Sequence, residues 1–166
     1  MQNYINIGLL GAGTVGGGVL AVMKDNAEII EKKIGKKIKI TKVFGRDIQK
    51  LQEQYGDEYI YTTNIDDILE DPEIDIVVEL LGREHPAKEY IAHAFEKGKN
   101  VVTANKDVLA KYGKELFPLA AEKNCDFMFE GSVCGGIPII QPLKTSLAAN
   151  KIMSIMGIVN GTTNYM

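Results

Sequence analysis

Short apolar segments alternate with stretches of helical periodicity along the whole chain. Apolar runs bounded by turn residues predict strands at 5–10, 38–44, 59–62, 74–80, 100–104, 125–130 and 152–159. Apolar side chains that recur at helical spacing predict helices between them, at 14–23, 29–34, 48–55, 65–69, 87–97, 107–112, 114–123 and 139–148. This alternation of the two periods predicts an α/β fold.

Two of the predicted strands are apolar at consecutive positions. Ile76, Val77 and Val78 follow one another in the fourth, and Val101 and Val102 do so in the fifth. Such strands are typical of parallel sheets in which helices cover both faces. We therefore expect a mostly parallel sheet in a single domain.

The composition narrows the classes of function. A chain of 166 residues buries roughly 68–70 % of the surface that its unfolded form exposes, which is enough for one domain. Its 19 basic and 22 acidic residues give a formal charge of −3, which does not favour nucleic acid as a partner. The apolar runs are far shorter than the ~20 residues of a membrane helix. Cys125 and Cys134 are too few for a disulfide framework, so we expect a cytoplasmic protein without a membrane partner.

A glycine-rich turn joins the first predicted strand to the first predicted helix. Its sequence, Gly11-Ala12-Gly13-Thr14-Val15-Gly16, matches the pattern G-x-G-x-x-G. Gly11 allows a tight turn, Gly13 lets a diphosphate approach the backbone, and Gly16 lets the helix pack closely on the strand. The free N–H groups at the start of the helix attract anions. The turn therefore predicts a Rossmann-like, doubly wound fold that binds a dinucleotide.

The end of the second predicted strand bears on the choice of cofactor. An acidic residue there accepts hydrogen bonds from the ribose of NAD, whereas a basic residue receives the 2′-phosphate of NADP. Here Arg46 offers a bidentate guanidinium for a phosphate, and Asp47 comes one residue later. We expect NADP, with NAD as the alternative.

A lysine follows the fifth predicted strand in the segment Thr103-Ala104-Asn105-Lys106. Open α/β sheets bind ligands at the carboxyl ends of their strands. Lys106 is therefore a candidate catalytic residue, because its ammonium group can hold a reacting oxygen or assist proton transfer. Without further information, a lysine at the start of a helix is also explained as a solvated surface residue.

The fourth predicted strand contains a carboxylate and ends at a glycine. Glu79 lies inside this apolar strand, where a buried carboxylate needs hydrogen-bonding partners. After Leu80 and Leu81, Gly82 would let the backbone approach a cofactor closely. Leu81 and Gly82 are therefore candidate cofactor-binding residues.

A second glycine-rich turn extends from Glu130 to Pro138. The carboxylate of Glu130 and the backbone carbonyls of the turn would suit either a hard cation or the edge of a cofactor. A turn that glycine simply permits is an equally good explanation of the pattern. Cys134 in this turn has no histidine beside it in the sequence, so we do not expect a nucleophilic cysteine.

Taken in order, five segments resemble those of homoserine dehydrogenases. They are the glycine turn with the residues before it, Val78-Glu79-Leu80-Leu81-Gly82, Val101-Val102-Thr103-Ala104-Asn105-Lys106, the turn from Glu130, and Asn160-Gly161-Thr162-Thr163-Asn164-Tyr165. The resemblance covers the whole chain. It implies NAD(P)-dependent interconversion of L-homoserine and L-aspartate 4-semialdehyde, in threonine, methionine and isoleucine biosynthesis.

The resemblance also implies roles for individual residues. Lys106 would lie near the nicotinamide and the reacting oxygen. A sodium-type structural ion would be held by Glu130 and by the turn that follows it, at Val133, Gly135 and Ile137. The cofactor-binding residues that we expect, from the patterns above and from the resemblance together, are Gly11, Ala12, Gly13, Thr14, Val15, Gly16, Arg46, Leu81, Gly82, Thr103 and Lys106.

In the family, the segment 160–165 opens a substrate-binding and dimerisation region. We therefore expect residues 1–159 to form the cofactor-binding domain, 160–166 to begin the second region, and the full-length protein to be a homodimer. The chain alone is expected to be nearly inactive, because the groups that position the substrate are missing. Two alternatives remain open at this point: a non-catalytic NAD(P)-binding regulatory module, and another oxidoreductase of the semialdehyde class.

Overall fold

The structure is a computed structural model that describes residues 4–157, and within them all six strands are parallel. The strands are β1 (Tyr4–Leu10), β2 (Lys37–Phe44), β3 (Ile60–Thr62), β4 (Ile76–Glu79), β5 (Asn100–Thr103) and β6 (Phe127–Met128). The helices are α1 (Thr14–Asp25), α2 (Ala27–Ile34), α3 (Ile48–Tyr55), α4 (Asp66–Leu69), α5 (Ala87–Glu96) and α6 (Lys106–Glu122).

The strands follow the spatial order β3-β2-β1-β4-β5-β6. This is the order of the doubly wound dinucleotide-binding fold, and it confirms the predicted fold class. Leu10, the last residue of β1, lies beside Phe44 at the end of β2 and beside Glu79 at the end of β4. The direction of winding reverses between β1 and β4, so a crevice opens beyond the carboxyl ends of these two strands.

Two apolar clusters cover the opposite faces of the sheet. Leu9 and Val43 pack with Leu20 of α1 on one face, while Val101 packs with Phe95 of α5 on the other. Because successive side chains of a strand point to opposite faces, consecutive apolar residues such as Val77 and Val78 belong to different clusters. This arrangement explains why the strands lack a polar and apolar alternation.

Helix α6 differs from the sequence prediction, which placed two helices at 107–112 and 114–123. The structure has one continuous helix that runs through Gly113. Gly113 is buried, and a Cβ atom there would lie 3.2 Å from the ring of Phe117. The glycine is therefore accounted for by close packing inside the helix rather than by a break.

The end of the described chain is less regular than predicted. Strand β6 has two residues instead of the six expected at 125–130. The helix expected at 139–148 is shortened to residues 140–146, of which Pro142–Ser146 form a π-helical turn. Residues 151–157 adopt no regular structure, so the strand expected at 152–159 is not seen there. The remaining residues of that strand and the segment 160–165 lie outside the described residues.

Among the helices within 4–157, none has the length and apolar composition that crossing a bilayer requires.

Candidate functional site

A cleft of about 1280 Å³ opens at the carboxyl edge of the sheet, beyond the ends of β1 and β4. Its floor is the glycine-rich turn, one wall is the segment from the end of β2 into α3, and the other is the segment after β4. Six of the predicted cofactor-binding residues line it, namely Gly11, Ala12, Gly13, Thr14, Arg46 and Leu81. The cleft lining does not include Val15, Gly16, Gly82, Thr103 or Lys106.

The glycine-rich turn depends on two of its glycines for its own conformation. Gly11 has a φ angle of +93°, which side chains disfavour, and its N–H donates to the carbonyl of Phe44 at 3.0 Å. A Cβ atom on Gly16 would lie 2.0 Å from the carbonyl oxygen of Gly11. Gly16 is therefore required by close packing of α1 on the turn, as the sequence pattern predicted.

Gly13 has a different environment from these two residues. A Cβ atom built on it would meet no atom of residues 4–157 within 4 Å, and Gly13 is exposed at the cleft. It is also the N-cap of α1, where no side chain caps the free N–H groups and the first turn carries no acidic residue. The amide end of α1 is therefore open to an anion from the cleft. Within the described part of the chain, no packing contact requires a glycine here, whereas a diphosphate resting on the backbone would.

The wall after β2 carries two basic residues. Arg46 is exposed and lines the cleft, and Lys50 in the first turn of α3 lines it too. Asp47 caps α3, because its Oδ1 accepts a hydrogen bond from the N–H of Lys50 at 3.1 Å. Asp47 itself also lines the cleft, so this wall carries one carboxylate beside the two cations. Lys50 was missed in the sequence, although its position four residues after Arg46 at the start of a helix is a usable signal.

Tyr55, the last residue of α3, also lines the cleft and was not predicted as a site residue. Its hydroxyl oxygen lies 2.4 Å from the place where a Cβ atom on Gly17 would stand. The glycine at position 17 of α1 therefore makes room for this tyrosine. The wall after β4 contributes further residues that the sequence patterns did not single out, namely Arg83, His85, Pro86 and Tyr90.

His85 is held at the edge of the cleft by polar contacts with α5 and α6. Its Nδ1 is 2.7 Å from Oε1 of Glu89, and its Nε2 is 2.8 Å from the hydroxyl of Tyr112. The rings of His85 and Tyr112 meet edge to face, with centroids 5.4 Å apart. These contacts fix the segment after β4 against the two helices that follow it.

Lys106 begins α6 at the carboxyl end of β5, as the sequence indicated, and its side chain is exposed. The residue before it, Asn105, caps the helix by accepting a hydrogen bond from the N–H of Val108 at 3.2 Å. Because β5 lies next to β4 in the sheet, Lys106 stands on the same edge as the cleft. The start of α6 therefore presents a cation at this edge of the sheet.

The turn that begins at Glu130 is organised around the carboxylate of this residue. Its Oε1 accepts hydrogen bonds from the N–H groups of Ile139 and Ile140 at 2.6 and 2.9 Å, and its Oε2 accepts one from Gln141 at 2.7 Å. Hydrogen bonds from the N–H groups of Ile139 and Gln141 lower the pKa of Glu130. An ionised carboxylate has about four lone-pair positions, so one remains for a cation.

The donor set of this turn is compatible with a hard cation. Glu130 would contribute its remaining lone pair, and Val133, Gly135 and Ile137 would contribute backbone carbonyls, all of which are oxygen ligands. No group of three or more His, Cys, Asp or Glu side chains that could hold a metal occurs within residues 4–157. A cation site built mainly from backbone carbonyls would not contain such a group of side chains.

Two family models match the chain. The model described as "Homoserine dehydrogenase, NAD binding domain" matches residues 11–130, which include the glycine-rich turn and the end of β6. The model described as "Homoserine dehydrogenase" matches residues 138–166.

Curated proteins named homoserine dehydrogenase match nearly the whole chain. The homoserine dehydrogenase of Bacillus subtilis is 43% identical over 98% of this chain, and that of Neisseria gonorrhoeae is 46% identical over 98% of it. The chain spans 37% of the length of each of these two relatives.

Solved structures of homoserine dehydrogenases share the fold. The enzyme from Thiobacillus denitrificans superimposes with a TM-score of 0.85 at 48% identity, covering 90% of this chain and 34% of that one. A hyperthermophilic archaeal homoserine dehydrogenase in complex with NADPH gives a TM-score of 0.70 at 27% identity, covering 84% and 48%. On this evidence, the chain belongs to the homoserine dehydrogenase family and comprises its NAD-binding domain.

Proposed function

We propose that the chain binds a nicotinamide dinucleotide along the cleft, with its diphosphate on the amide end of α1. The observation that carries this proposal is the open space beside Gly13, where an added Cβ would meet no atom within 4 Å. Gly11, Ala12, Thr14 and the amides that follow, at Val15 and Gly16, would surround the diphosphate. Leu81 and Gly82 would contact the cofactor from the wall after β4.

We propose NADP rather than NAD as the preferred cofactor. Arg46 and Lys50 both face the cleft at the end of β2, and a 2′-phosphate there would form charge-assisted hydrogen bonds with them. Asp47, the acidic alternative for a ribose, also lines the cleft, but it uses one carboxylate oxygen to cap α3 and is outnumbered by the two cations. The archaeal relative in complex with NADPH supports this choice.

In the whole protein, we propose that the domain serves the interconversion of L-homoserine and L-aspartate 4-semialdehyde. The nicotinamide supplies or accepts the hydride when it is bound. Lys106 would hold the reacting oxygen of the substrate by a charge-assisted hydrogen bond, and Thr103 would fix the strand end beside it. The names of the relatives support this activity, which also requires groups beyond this chain.

Other features of the whole protein are proposed with the activity. Residues 1–159 would form the cofactor domain, 160–166 would begin the substrate-binding and dimerisation region, and two copies would form a homodimer. A sodium-type ion would stabilise the turn from Glu130 through Val133, Gly135 and Ile137.

The two cysteines, Cys125 and Cys134, are free thiols, which supports a reducing, cytoplasmic setting.

Titration of this chain with NADPH, followed by the emission of the cofactor, tests the proposal. Gly13→Ala is expected to weaken binding about tenfold or more, because the added methyl group meets the ligand, while the change at the N-cap itself costs at most about 1 kcal/mol of stability. Gly18→Ala is the matched control, since a Cβ there also meets no atom within 4 Å. Equal affinities for the wild type and Gly13→Ala would contradict the assigned diphosphate site. Homoserine-dependent reduction of NADP⁺ by a protein extended past Met166 tests the activity.

A further inference from the structure

The side chain of Glu79, at the end of β4, is completely buried, with 0 % of its surface exposed. A carboxylate in such surroundings is costly unless hydrogen bonds compensate for the lost water. Its Oε1 accepts a hydrogen bond from the N–H of Leu81 at 2.7 Å, and its Oε2 accepts one from the hydroxyl of Thr103 at 2.6 Å. Both carboxylate oxygens therefore receive a donor, one from the segment after β4 and one from the end of β5.

The hydrogen bonds continue from Thr103 to the start of α6. The hydroxyl of Thr103 accepts from the N–H of Asn105 at 3.0 Å, and the side-chain amide of Asn105 donates to the carbonyl of Arg83 at 2.8 Å. Thr103 and Asn105 are 1 % and 4 % exposed, so water does not compete for these groups. We call Glu79, Thr103 and Asn105 the buried polar network. It joins the segment that lines the cleft after β4 to the residue that immediately precedes Lys106.

The position of the network relative to the cleft follows from the order of the strands. Arg46 follows β2, on one side of β1, whereas the network lies at the ends of β4 and β5, on the other side. If the adenosine 2′-phosphate lies at Arg46 and the diphosphate on α1, the nicotinamide must extend toward β4 and β5. The network therefore borders the nicotinamide end of the proposed site and not its adenosine end.

We propose that Glu79 is a positioning residue for the nicotinamide end of the cofactor. It holds the backbone at Leu81 and, through Thr103 and Asn105, sets the start of α6 and thus the position of Lys106. Neither ligand nor substrate needs to touch Glu79, which is inaccessible. This inference rests on the proposed function, since it requires a dinucleotide in the cleft.

The test compares two ligands that differ only at the nicotinamide end: NADPH, and 2′-phosphoadenosine 5′-diphosphoribose, which lacks the nicotinamide. Glu79→Gln replaces one acceptor oxygen by a donor, so either the N–H of Leu81 or the O–H of Thr103 loses its acceptor. We expect this variant to bind NADPH about tenfold more weakly while its affinity for the shorter ligand changes less than about twofold. Glu96→Gln makes the same change at an exposed position of α5 and should leave both affinities unchanged.

Variants of Thr103 separate the hydrogen bond from the packing. Thr103→Val keeps the shape but removes the hydroxyl, so its affinity for NADPH should fall as in Glu79→Gln. The double variant Glu79→Gln/Thr103→Val should bind NADPH no more weakly than the weaker-binding of the two single variants. Thr103→Ser keeps the hydroxyl and should restore binding. Equal losses for both ligands, or no loss for either, would overturn the positioning role. If the wild type binds neither ligand, the proposed function itself fails, which is a separate result.

Discussion

The hydroxyl of Tyr55 donates a hydrogen bond of 2.9 Å to the backbone carbonyl of Ala12. This contact joins the last residue of α3 to the middle of the glycine-rich turn, across 43 positions of sequence. It also brings the tyrosine against α1, where Gly17 leaves room for it. The helix that begins near Arg46 and the turn proposed to hold the diphosphate are therefore held together at one point.

Gly17→Ala is expected to destabilise the protein, because its methyl group would stand 2.4 Å from the hydroxyl oxygen of Tyr55. Insertion of a methyl group into a packed site costs about 1–3 kcal/mol, and the helix preference of alanine returns about 1 kcal/mol of this. We therefore expect a net loss of up to about 2 kcal/mol in the free energy of unfolding, which urea titration measures. Gly18→Ala on the same helix is the control and should stabilise the protein by roughly 1 kcal/mol, since alanine favours helix and meets open space.

Removing the hydroxyl should relieve this clash. Tyr55→Phe alone loses the hydrogen bond to Ala12, at a cost of about 1 kcal/mol, but in the Gly17→Ala background it removes the closest atom. The double variant should therefore be less destabilised than the sum of the single variants. Strict additivity would mean that the clash is absorbed elsewhere in α1.

Arg46→Ala and Lys50→Ala are each expected to weaken NADPH binding more than NADH binding. A lost hydrogen bond to a charged phosphate costs about 1.5–3 kcal/mol, which corresponds to at least a tenfold change in Kd. Isothermal titration with both cofactors measures the ratio. Lys33→Ala removes the same charge from an exposed position on α2 and controls for the general loss of a cation. Equal losses for the two cofactors would remove the assignment of the 2′-phosphate to this end of the cleft.

The turn around Glu130 should loosen in acid. Hydrogen bonds from the N–H groups of Ile139 and Gln141 lower the pKa of Glu130 below its ordinary value of 4.5. For a carboxyl group with a lowered pKa, the stabilising contribution is fully present above pH 4.5 and is lost as the pH falls through the folded-state pKa. The amide proton shifts of Ile139, Ile140 and Gln141 should therefore titrate together, with a midpoint below pH 4.5.

Glu130→Gln is the control for this titration. It removes the titrating group but keeps a side chain of the same shape, so the three amide shifts should no longer move in this pH range. A midpoint at or above 4.5 in the wild type would show that the N–H groups of the turn do not favour the ionised form of Glu130.

The sheet and the glycine-rich turn were predictable because their causes are local. Consecutive apolar residues such as Val77 and Val78 indicate strands covered on both faces, and the requirement for glycine at positions 11 and 16 follows from the geometry of the turn. Gly113 was misleading, because a glycine buried within a helix gives the same signal in the sequence as a helix break. The difference depends on Phe117, which packs beside it.

Three features could be predicted from local patterns: the α/β class, the place of the proposed diphosphate site, and the position of Lys106 just after a strand. Periodicity and backbone sterics act over a few residues, so they can be read without the fold. Which groups meet at the site depends on contacts between residues that are distant in the chain. The bonds from Thr103 to Glu79 and from Tyr55 to Ala12 join residues 24 and 43 positions apart. Such partners are set by the order of the strands in the sheet, which no local pattern specifies.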